Sequence, residues 1–429
     1  MSGRRIRLAV VGGGSTYTPE LADGIARLGK TLPVEELVLV DPDPARIEVV
    51  AGLTSRILAA AGSTCRVTTT ADISAAAEGA DAVLVQLRIG GQAARGRDES
   101  WPLECGCIGQ ETTGAGGLAK ALRTIPVVLD IARQVRAVNP DAWIVDFTNP
   151  VGMVTRALLD DGHRAVGLCN VAIGFERLFA SLLGVEPERI ELDHAGLNHL
   201  SFELGARIRH DDGTATEVLD RLIDVHGEAL VDETELPLPL LHSERIIPSY
   251  YLRYYFQHDE LVSLAADRPS RAAQVAALEA ELLELYADPA LDRTPPQLRG
   301  RGGAYYSDAA VGLLASLLGT GEARDHIVNV RNRGILPFLD DEAIIEVRAK
   351  VGPDSILPHP VPAPPPLVSG LVAHVARYEQ LGVEAALHGG RDRVVRALLA
   401  HPLVGQYATA QALADRLIAE NKEWLPWAQ

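Results

Sequence analysis

Val11-Gly12-Gly13-Gly14-Ser15-Thr16-Tyr17-Thr18 is the stretch on which the fold turns. It follows the apolar run of residues 6–11, and residues 19–28 behind it have a helical pattern with Pro in the first turn. A glycine-rich turn between a buried strand and a helix lets the backbone approach a pyrophosphate. The helix N-terminus adds free N–H groups and a positive dipole. Gly12 and Gly14 fit the usual G-x-G-x-x-G pattern, but Tyr17 takes the third position, where Gly or Ala normally packs. The next strand, residues 37–40, ends at Asp41. An acid there accepts hydrogen bonds from an adenosine ribose and disfavours a 2′-phosphate, so the combination points to NAD rather than NADP. Asp41 stands 27 residues past Gly14, later than the usual spacing of about 20. Asp41-Pro42-Asp43-Pro44 is also an ordinary turn composition. The expected cofactor contacts are Gly12, Gly14, Ser15, Thr16, Asp41 and Arg46.

Outward from this turn, short β-rich runs at residues 66–69, 82–87, 143–147 and 166–168 alternate with helical patterns such as residues 44–61. That alternation implies a parallel sheet with right-handed crossovers. The second half reads differently. Residues 190–204 and 206–209 look like strands, and residues 271–286 and 309–318 like helices. Residues 357–366 are too rich in Pro for regular structure and read as a stiff loop, with helices resuming at Leu367. The expected architecture is α/β: a nucleotide-binding parallel sheet in residues 1–195, then a mixed α+β domain in residues 196–429 for substrate, metal and oligomer contacts.

Composition narrows the partners. With 429 residues, 47% of them hydrophobic, the chain is long and apolar enough for two or three domains. A formal charge of −17 repels phosphate backbones, so nucleic acid is not an expected partner, and any anion site must be a local pocket of Arg or backbone N–H groups. No apolar run reaches the roughly 20 residues of a membrane span. Four cysteines do not make a disulfide framework, which fits a reducing cytoplasm.

Further signals fall at strand ends, where open α/β sheets bind ligands. Phe147-Thr148-Asn149-Pro150-Val151 offers Asn149 for a substrate hydroxyl or the nicotinamide, though a helix N-cap followed by Pro would carry the same letters. Cys169-Asn170, followed some 30 residues later by Asn198-His199, supplies a thiolate and an imidazole suited to a borderline divalent cation. His194 competes as a ligand, and a plain buried Cys or His is the bland alternative. Pro248-Ser249-Tyr250-Tyr251-Leu252-Arg253-Tyr254-Tyr255-Phe256 contains tyrosines able to act as a base near a cation, or simply to pack. Arg299-Gly300-Arg301-Gly302-Gly303-Ala304-Tyr305-Tyr306-Ser307 is a basic loop able to cradle an anion.

Taken in order, these segments resemble glycoside hydrolase family 4, in particular its 6-phospho-β-glucosidase branch. The segment from Arg95 to Gly117, including Ile108-Gly109-Gln110-Glu111-Thr112, also carries the likeness. The resemblance implies a Rossmann-type, lactate/malate dehydrogenase-like N-terminal sheet. It also implies bound NAD, a divalent cation (Mn2+ in the first place) and a homodimer or homotetramer. The implied substrate is a phosphorylated disaccharide or β-glucoside. The implied chemistry departs from the two-carboxylate scheme of most glycosidases. NAD+ takes a hydride from C3 of the sugar, and the ketone acidifies C2–H. A tyrosine removes that proton while the metal stabilises the enediolate. The aglycone leaves, water adds, and the hydride returns. By the same resemblance Cys169 and His199 match metal ligands, Arg95 and Asn149 match substrate contacts, and Glu111 matches an acidic active-site residue. Tyr251 matches the C2 base, with Tyr250 beside it, and Arg301 is a candidate for the 6-phosphate. Asn170 stands where α-acting relatives carry an acid, which favours the β branch. A 6-phospho-α-glucoside, a non-phosphorylated glycoside, and a 2-hydroxyacid dehydrogenase, with a catalytic His backed by an Asp (His194 with Asp193, or His199), are the alternatives.

Overall fold

The computed structural model describes residues 5–265, 270–301, 306–353 and 355–429. Gly302, Gly303, Ala304 and Tyr305 of the basic loop lie outside them. In the first half, strands β1 (Ile6–Val11), β2 (Val34–Val40), β3 (Arg66–Thr70), β4 (Ala82–Val85), β5 (Trp143–Asp146) and β6 (Ala165–Gly167) alternate with helices. These are α1 (Thr18–Arg27), α2 (Pro44–Ala60), α3 (Ile73–Ala77), α4 (Gly91–Ser100), α5 (Gly114–Val138), α6 (Val151–Asp160) and α7 (Val171–Leu183). The second half contains β7 (Ile190–Leu197), β8 (Leu200–Arg209), β9 (Ala215–Glu217), β10 (Ile247–Pro248), β11 (Arg324–Arg331), β12 (Ile344–Gly352) and β13 (Ser355–Pro358). Its helices are α8 (Leu219–Thr234), α9 (Leu238–Glu244), α10 (Arg253–Phe256), α11 (His258–Ala265), α12 (Arg271–Tyr286), α13 (Tyr306–Leu317), α14 (Pro366–His388), α15 (Arg391–Leu399) and α16 (Tyr407–Glu420).

Among the described residues, all thirteen strands belong to one sheet. Its first part runs β3-β2-β1-β4-β5-β6, parallel throughout. That is the strand order of a dinucleotide-binding sheet, with its switch point between β1 and β4. Past β6 the pairing turns antiparallel through β11, β12, β7 and β8. The fold is thus α/β with a mostly parallel N-terminal sheet and a mixed α+β remainder, as the sequence leads one to expect. The expected division at residues 195/196 falls inside β7, and one sheet carries strands from both sides of it.

Strand alternation builds two cores. Ile6, Leu8 and Val10 of β1 pack with Ile25, Leu53 and Leu314 on one face. Ala9 and Val11 pack with Leu118, Leu122 and Ile125 of α5 on the other. Each fully buried Val or Leu contributes about 1.5–3 kcal/mol by leaving water. With both faces covered, the carboxyl ends of the parallel strands are left to shape a cleft.

Three sequence expectations need correction. The first strand of the second half does not run to Leu204; it turns back at Asn198-His199, and Gly205 lies inside β8. Gly205 is not a break but a close approach, since a Cβ there would meet the Asp193 carboxylate at 2.5 Å. β11 and β12, unread in the sequence, join the two halves of the sheet. Leu357 and Pro358 are not loop but the end of β13, an edge strand, where Pro is tolerated; α14 then starts on Pro366.

Candidate active site

A cleft of about 1290 Å³ opens at the carboxyl ends of the parallel strands. Gly12, Ser15, Asp41, Arg46, Arg95, Glu111, Asn149, Asn170, His199, Tyr251 and Arg301 all line it. Gly14, Thr16 and Cys169 are not on its wall; Thr16 and Cys169 are buried behind it, at 0% and 5% exposure.

The nucleotide turn is built by close approach. Gly12 has φ +85°, and a Cβ on it would meet the Gln86 carbonyl oxygen at 2.4 Å. A Cβ on Gly14 would meet Asp41 Oδ2 at 2.7 Å. The Gly14 N–H donates to Asp41 Oδ2 (3.1 Å), and Asp41 Oδ1 accepts from Asp43 N–H (3.0 Å). Capping of α2 falls to Asp43, which accepts from Ala45 and Arg46 N–H, so Asp41 remains on the cleft wall. Arg46 Nε donates to the Gly14 carbonyl (2.6 Å). Tyr17, the departure from the glycine pattern, turns its ring to the cleft and meets Tyr306 edge-on at 6.0 Å.

Arg301 stands at this end of the cleft. Its guanidinium donates to Glu279 Oε1 (2.9 Å) and lies 5.2 Å over the Tyr17 ring. Burial lowers its pKa, Glu279 opposes that, and repulsion from Arg88 adds to the lowering.

Arg88 belongs to a second cluster that sequence reasoning did not assemble. Glu111 accepts from Arg88 Nη1 and from Lys120 Nζ (2.7 Å), and forms an ion pair with Arg95 Nη2 (3.2 Å). Arg95 also donates to Glu99 (2.7 Å). Burial alone would raise the Glu111 pKa, but Arg88, Lys120 and Arg95 hold it well below the usual carboxylate range. Burial pushes Lys120 down to about 8 against the pull of Glu111. Arg95 and Glu111 are thus partners, brought together by α4 and the loop before α5. Arg88 and Lys120 gave no signal beyond charges in otherwise unremarked segments.

The third cluster surrounds Cys169 and His199. Cys169 follows β6 at the N-terminal end of α7, and burial pushes its thiol far up. The backbone N–H groups of Val171 and Asn170 and the side chain of Asn198 hydrogen-bond its sulfur and act the other way. His199 occupies the β7–β8 turn with φ +61°, a left-handed backbone uncommon outside Gly, Asn, Asp and His. Its Nδ1 lies 2.8 Å from Thr112 Oγ1, and its ring stacks on Tyr251 at 3.7 Å and 11°. Burial lowers its pKa to about 4, so the imidazole is neutral near pH 7. Tyr251 in turn stacks on Tyr250 at 4.2 Å, and both rings line the cleft. Burial raises the Tyr251 phenol well above its usual value. Among the described residues, no three His, Cys, Asp or Glu side chains converge as a metal cage. Thiolate and imidazole are the donor types that suit a borderline cation, and Cys169 and His199 carry those two side chains.

His194 is not the competing ligand the sequence allowed. It is wholly buried between Glu203 (2.7 Å) and Glu346 (3.0 Å), away from the cleft. Burial opposes its charge, but the two carboxylates raise its pKa to about 10. Glu346 accepts also from Asn198 and Asn329, so this network backs the Cys169 side of the site. The dehydrogenase alternative loses its His–Asp pair here, because Asp193 is salt-bridged to Arg207 instead. Asn149 is not a helix cap: Pro150 precedes α6, and Asn149 Oδ1 is buried without a hydrogen-bond partner among the described residues.

Residues 7–185 match the family described as family 4 glycosyl hydrolase, and residues 194–404 match its C-terminal domain. A Bacillus subtilis (strain 168) protein named "Probable 6-phospho-beta-glucosidase" is 39% identical over 98% of this chain and 97% of its own. The 6-phospho-beta-glucosidase of Escherichia coli (strain K12) is 36% identical over 99% and 97%. A structure of the 6-phospho-beta glucosidase from Thermotoga maritima with manganese, NAD+ and glucose-6-phosphate superposes with a TM-score of 0.91. It is 33% identical and covers 98% of this chain and 99% of that one. The chain belongs to glycosyl hydrolase family 4. It is a hydrolase of glycosidic bonds. Among the described residues, no helix is long and apolar enough to cross a membrane.

Proposed function

We propose that this chain cleaves 6-phospho-β-glucosides in the cytoplasm, using NAD and a divalent cation such as Mn2+, and acts as a homodimer or homotetramer. Residues 1–195 carry the nucleotide and residues 196–429 complete the substrate and metal site. The observation that carries the reading is the meeting in one cleft of a nucleotide turn, His199 and a tyrosine stacked on that His, with Cys169 buried just behind the wall.

The residues fit both groups. The turn at Gly12 and Gly14 leaves no room for side chains, as backbone approach to a pyrophosphate requires, and Asp41 on the cleft wall supports a ribose contact there. Cys169 and His199 would hold the cation. When bound, NAD+ supplies reversible hydride acceptance at C3, and the cation polarises the sugar C2 and C3 oxygens. The chain does the rest. Arg95 and Asn149 orient the sugar, Asn149 through its unpaired Oδ1. Tyr251 takes the proton from C2, and Tyr250 holds the base in its stack. Glu111 keeps Arg88, Arg95 and Lys120 in place. Arg301 and Arg88, which repel one another across the cleft, are relieved by an anion, and this supports a 6-phosphate between them. Asn170 cannot protonate a leaving group, which supports β-glucosides with stable leaving anions or water as the acid.

Cleavage of p-nitrophenyl 6-phospho-β-glucoside tests this. It should require NAD+, Mn2+ and reductant together and exceed cleavage of the unphosphorylated glucoside. Cleavage surviving removal of both NAD+ and Mn2+, or none under any condition, overturns it.

A further inference from the structure

The loop before α5 carries a hydrogen-bond chain that ends on His199. Gln110 Oε1 accepts from the backbone N–H of Thr112 and of Thr113 (2.9 Å). Two backbone donors fix which end of the amide faces them, since the NH2 end would set donor against donor. The same oxygen accepts from the Thr112 hydroxyl (2.7 Å). A hydroxyl has one proton, and here it goes to an atom that can only accept. Thr112 Oγ1 also lies 2.8 Å from His199 Nδ1, so that contact must be Nδ1–H donating to Oγ1. The opposite assignment, hydroxyl donating to Nδ1, would leave two oxygens 2.7 Å apart with no proton between them. A ring turned by half a revolution would put a carbon against Thr112 and lose the bond. The Tyr251 face at 3.7 Å restrains the ring further. No hydrogen bond to His199 Nε2 is present among the described residues, and His199 lines the cleft.

We propose that Gln110 and Thr112 are positioning residues that lock His199 in the Nδ1–H tautomer, leaving the unprotonated Nε2 with its lone pair available on a residue that lines the cleft. The functional meaning rests on the proposal that His199 holds a cation. The tautomer itself does not. Partners on the far nitrogen of a metal-binding His typically change affinity by about 10–100-fold.

The metal-free, full-length protein labelled with 15N-histidine tests this by long-range 1H–15N spectra, with His199 identified by its absence in His199→Ala. Wild type should show a pyrrole-type Nδ1 and a pyridine-type Nε2. Thr112→Val, which keeps the shape and removes the hydroxyl, should mix or reverse the tautomers. It should also weaken Mn2+ binding, read by electron paramagnetic resonance on the NAD-loaded protein, by about 10–100-fold. Thr112→Ser should restore both. Protonation of wild-type His199 on Nε2, or an unchanged tautomer in Thr112→Val, overturns the proposal. If wild type binds no Mn2+ yet shows the stated tautomer, the cation reading fails and the lock stands.

Discussion

Replacing Glu111 with Gln keeps the side-chain shape and deletes the negative charge that Arg88, Arg95 and Lys120 share. Each buried pair at about 4 Å gains about 4 kcal/mol at an effective dielectric constant of 20, before desolvation. Removing one partner of such a buried set costs about 3–5 kcal/mol net, because the other charges stay behind. Lys120 has a partial escape. Its pKa is already about 8, and without Glu111 it falls further, so the residue sheds its proton near pH 7. That places the loss at the lower end, about 3 kcal/mol. Unfolding entropy of about 2.1 cal/mol/K per residue gives about 0.9 kcal/mol/K for 429 residues, so Glu111→Gln should melt about 3–4 °C below wild type. Calorimetry at pH 7 on wild type, Glu111→Gln and the double variant Glu111→Gln/Lys120→Met reads this. The double variant removes a stranded cation and should regain at least half of the loss. If Glu111→Gln melts within about 1 °C of wild type, or the double variant melts below the single one, the carboxylate is not what holds these cations.

Asp41→Ala should weaken NAD+ binding roughly 10- to 150-fold, the equivalent of about 1.5–3 kcal/mol for hydrogen bonds to a charged acceptor, and narrow the preference over NADP+. Fluorescence titration with both nucleotides checks it, and an unchanged ratio would remove Asp41 from the ribose site. His194, raised in the folded state to about 10 from 6.5, adds stability that is complete below pH 6.5 and declines as pH rises towards 10. The neutral His199, His326 and His401, at about 4, 4 and 3, add the opposite slope only below pH 6.5, and Lys120 only above about 8. Denaturant unfolding between pH 6.5 and 8 should therefore show falling stability in wild type and a flatter profile in His194→Gln. Cys169→Ser should abolish tight Mn2+ binding while leaving NAD+ binding intact. In wild type, Mn2+ affinity should rise about tenfold per pH unit near neutrality, because the buried thiol must release its proton. PH-independent affinity would mean that Cys169 is not a ligand.

The parallel half of the fold was legible because β1, β2, β5 and β6 are short, mostly apolar runs, each followed by a candidate site residue: Gly12 after β1, Asp41 after β2, Asn149 soon after β5 and Cys169 after β6. Strand ends collect function in such sheets, so position along the chain translated into position in space. The antiparallel half was harder to read. β11 begins Arg-Asp-His and ends in Arg, with its apolar residues only in the middle, and its partners lie in distant parts of the chain. Gly205 resembled punctuation but marks an approach to Asp193. Arg95 and Glu111 came only through family resemblance, because a charge in a loop or exposed helix has no spacing to give it away. Lys120 and Glu279 stayed hidden for the same reason. Glu279 reaches Arg46 and Arg301 from α12, and its contact with Thr16 spans 263 residues of sequence. The His194 network was illegible in principle: a histidine between two carboxylates and a histidine facing a cation look alike until their neighbours are placed.

In the proposed reaction the glycosidic bond breaks after Tyr251 removes the C2 proton. Cleavage of a 6-phospho-β-glucoside in D2O, with mass and NMR analysis of the glucose 6-phosphate formed, tests it most directly. Deuterium should appear at C2 of the product, and Tyr251→Phe should lose exchange and cleavage together. Product that keeps its original C2 hydrogen throughout turnover, as displacement between two carboxylates would leave it, contradicts the account.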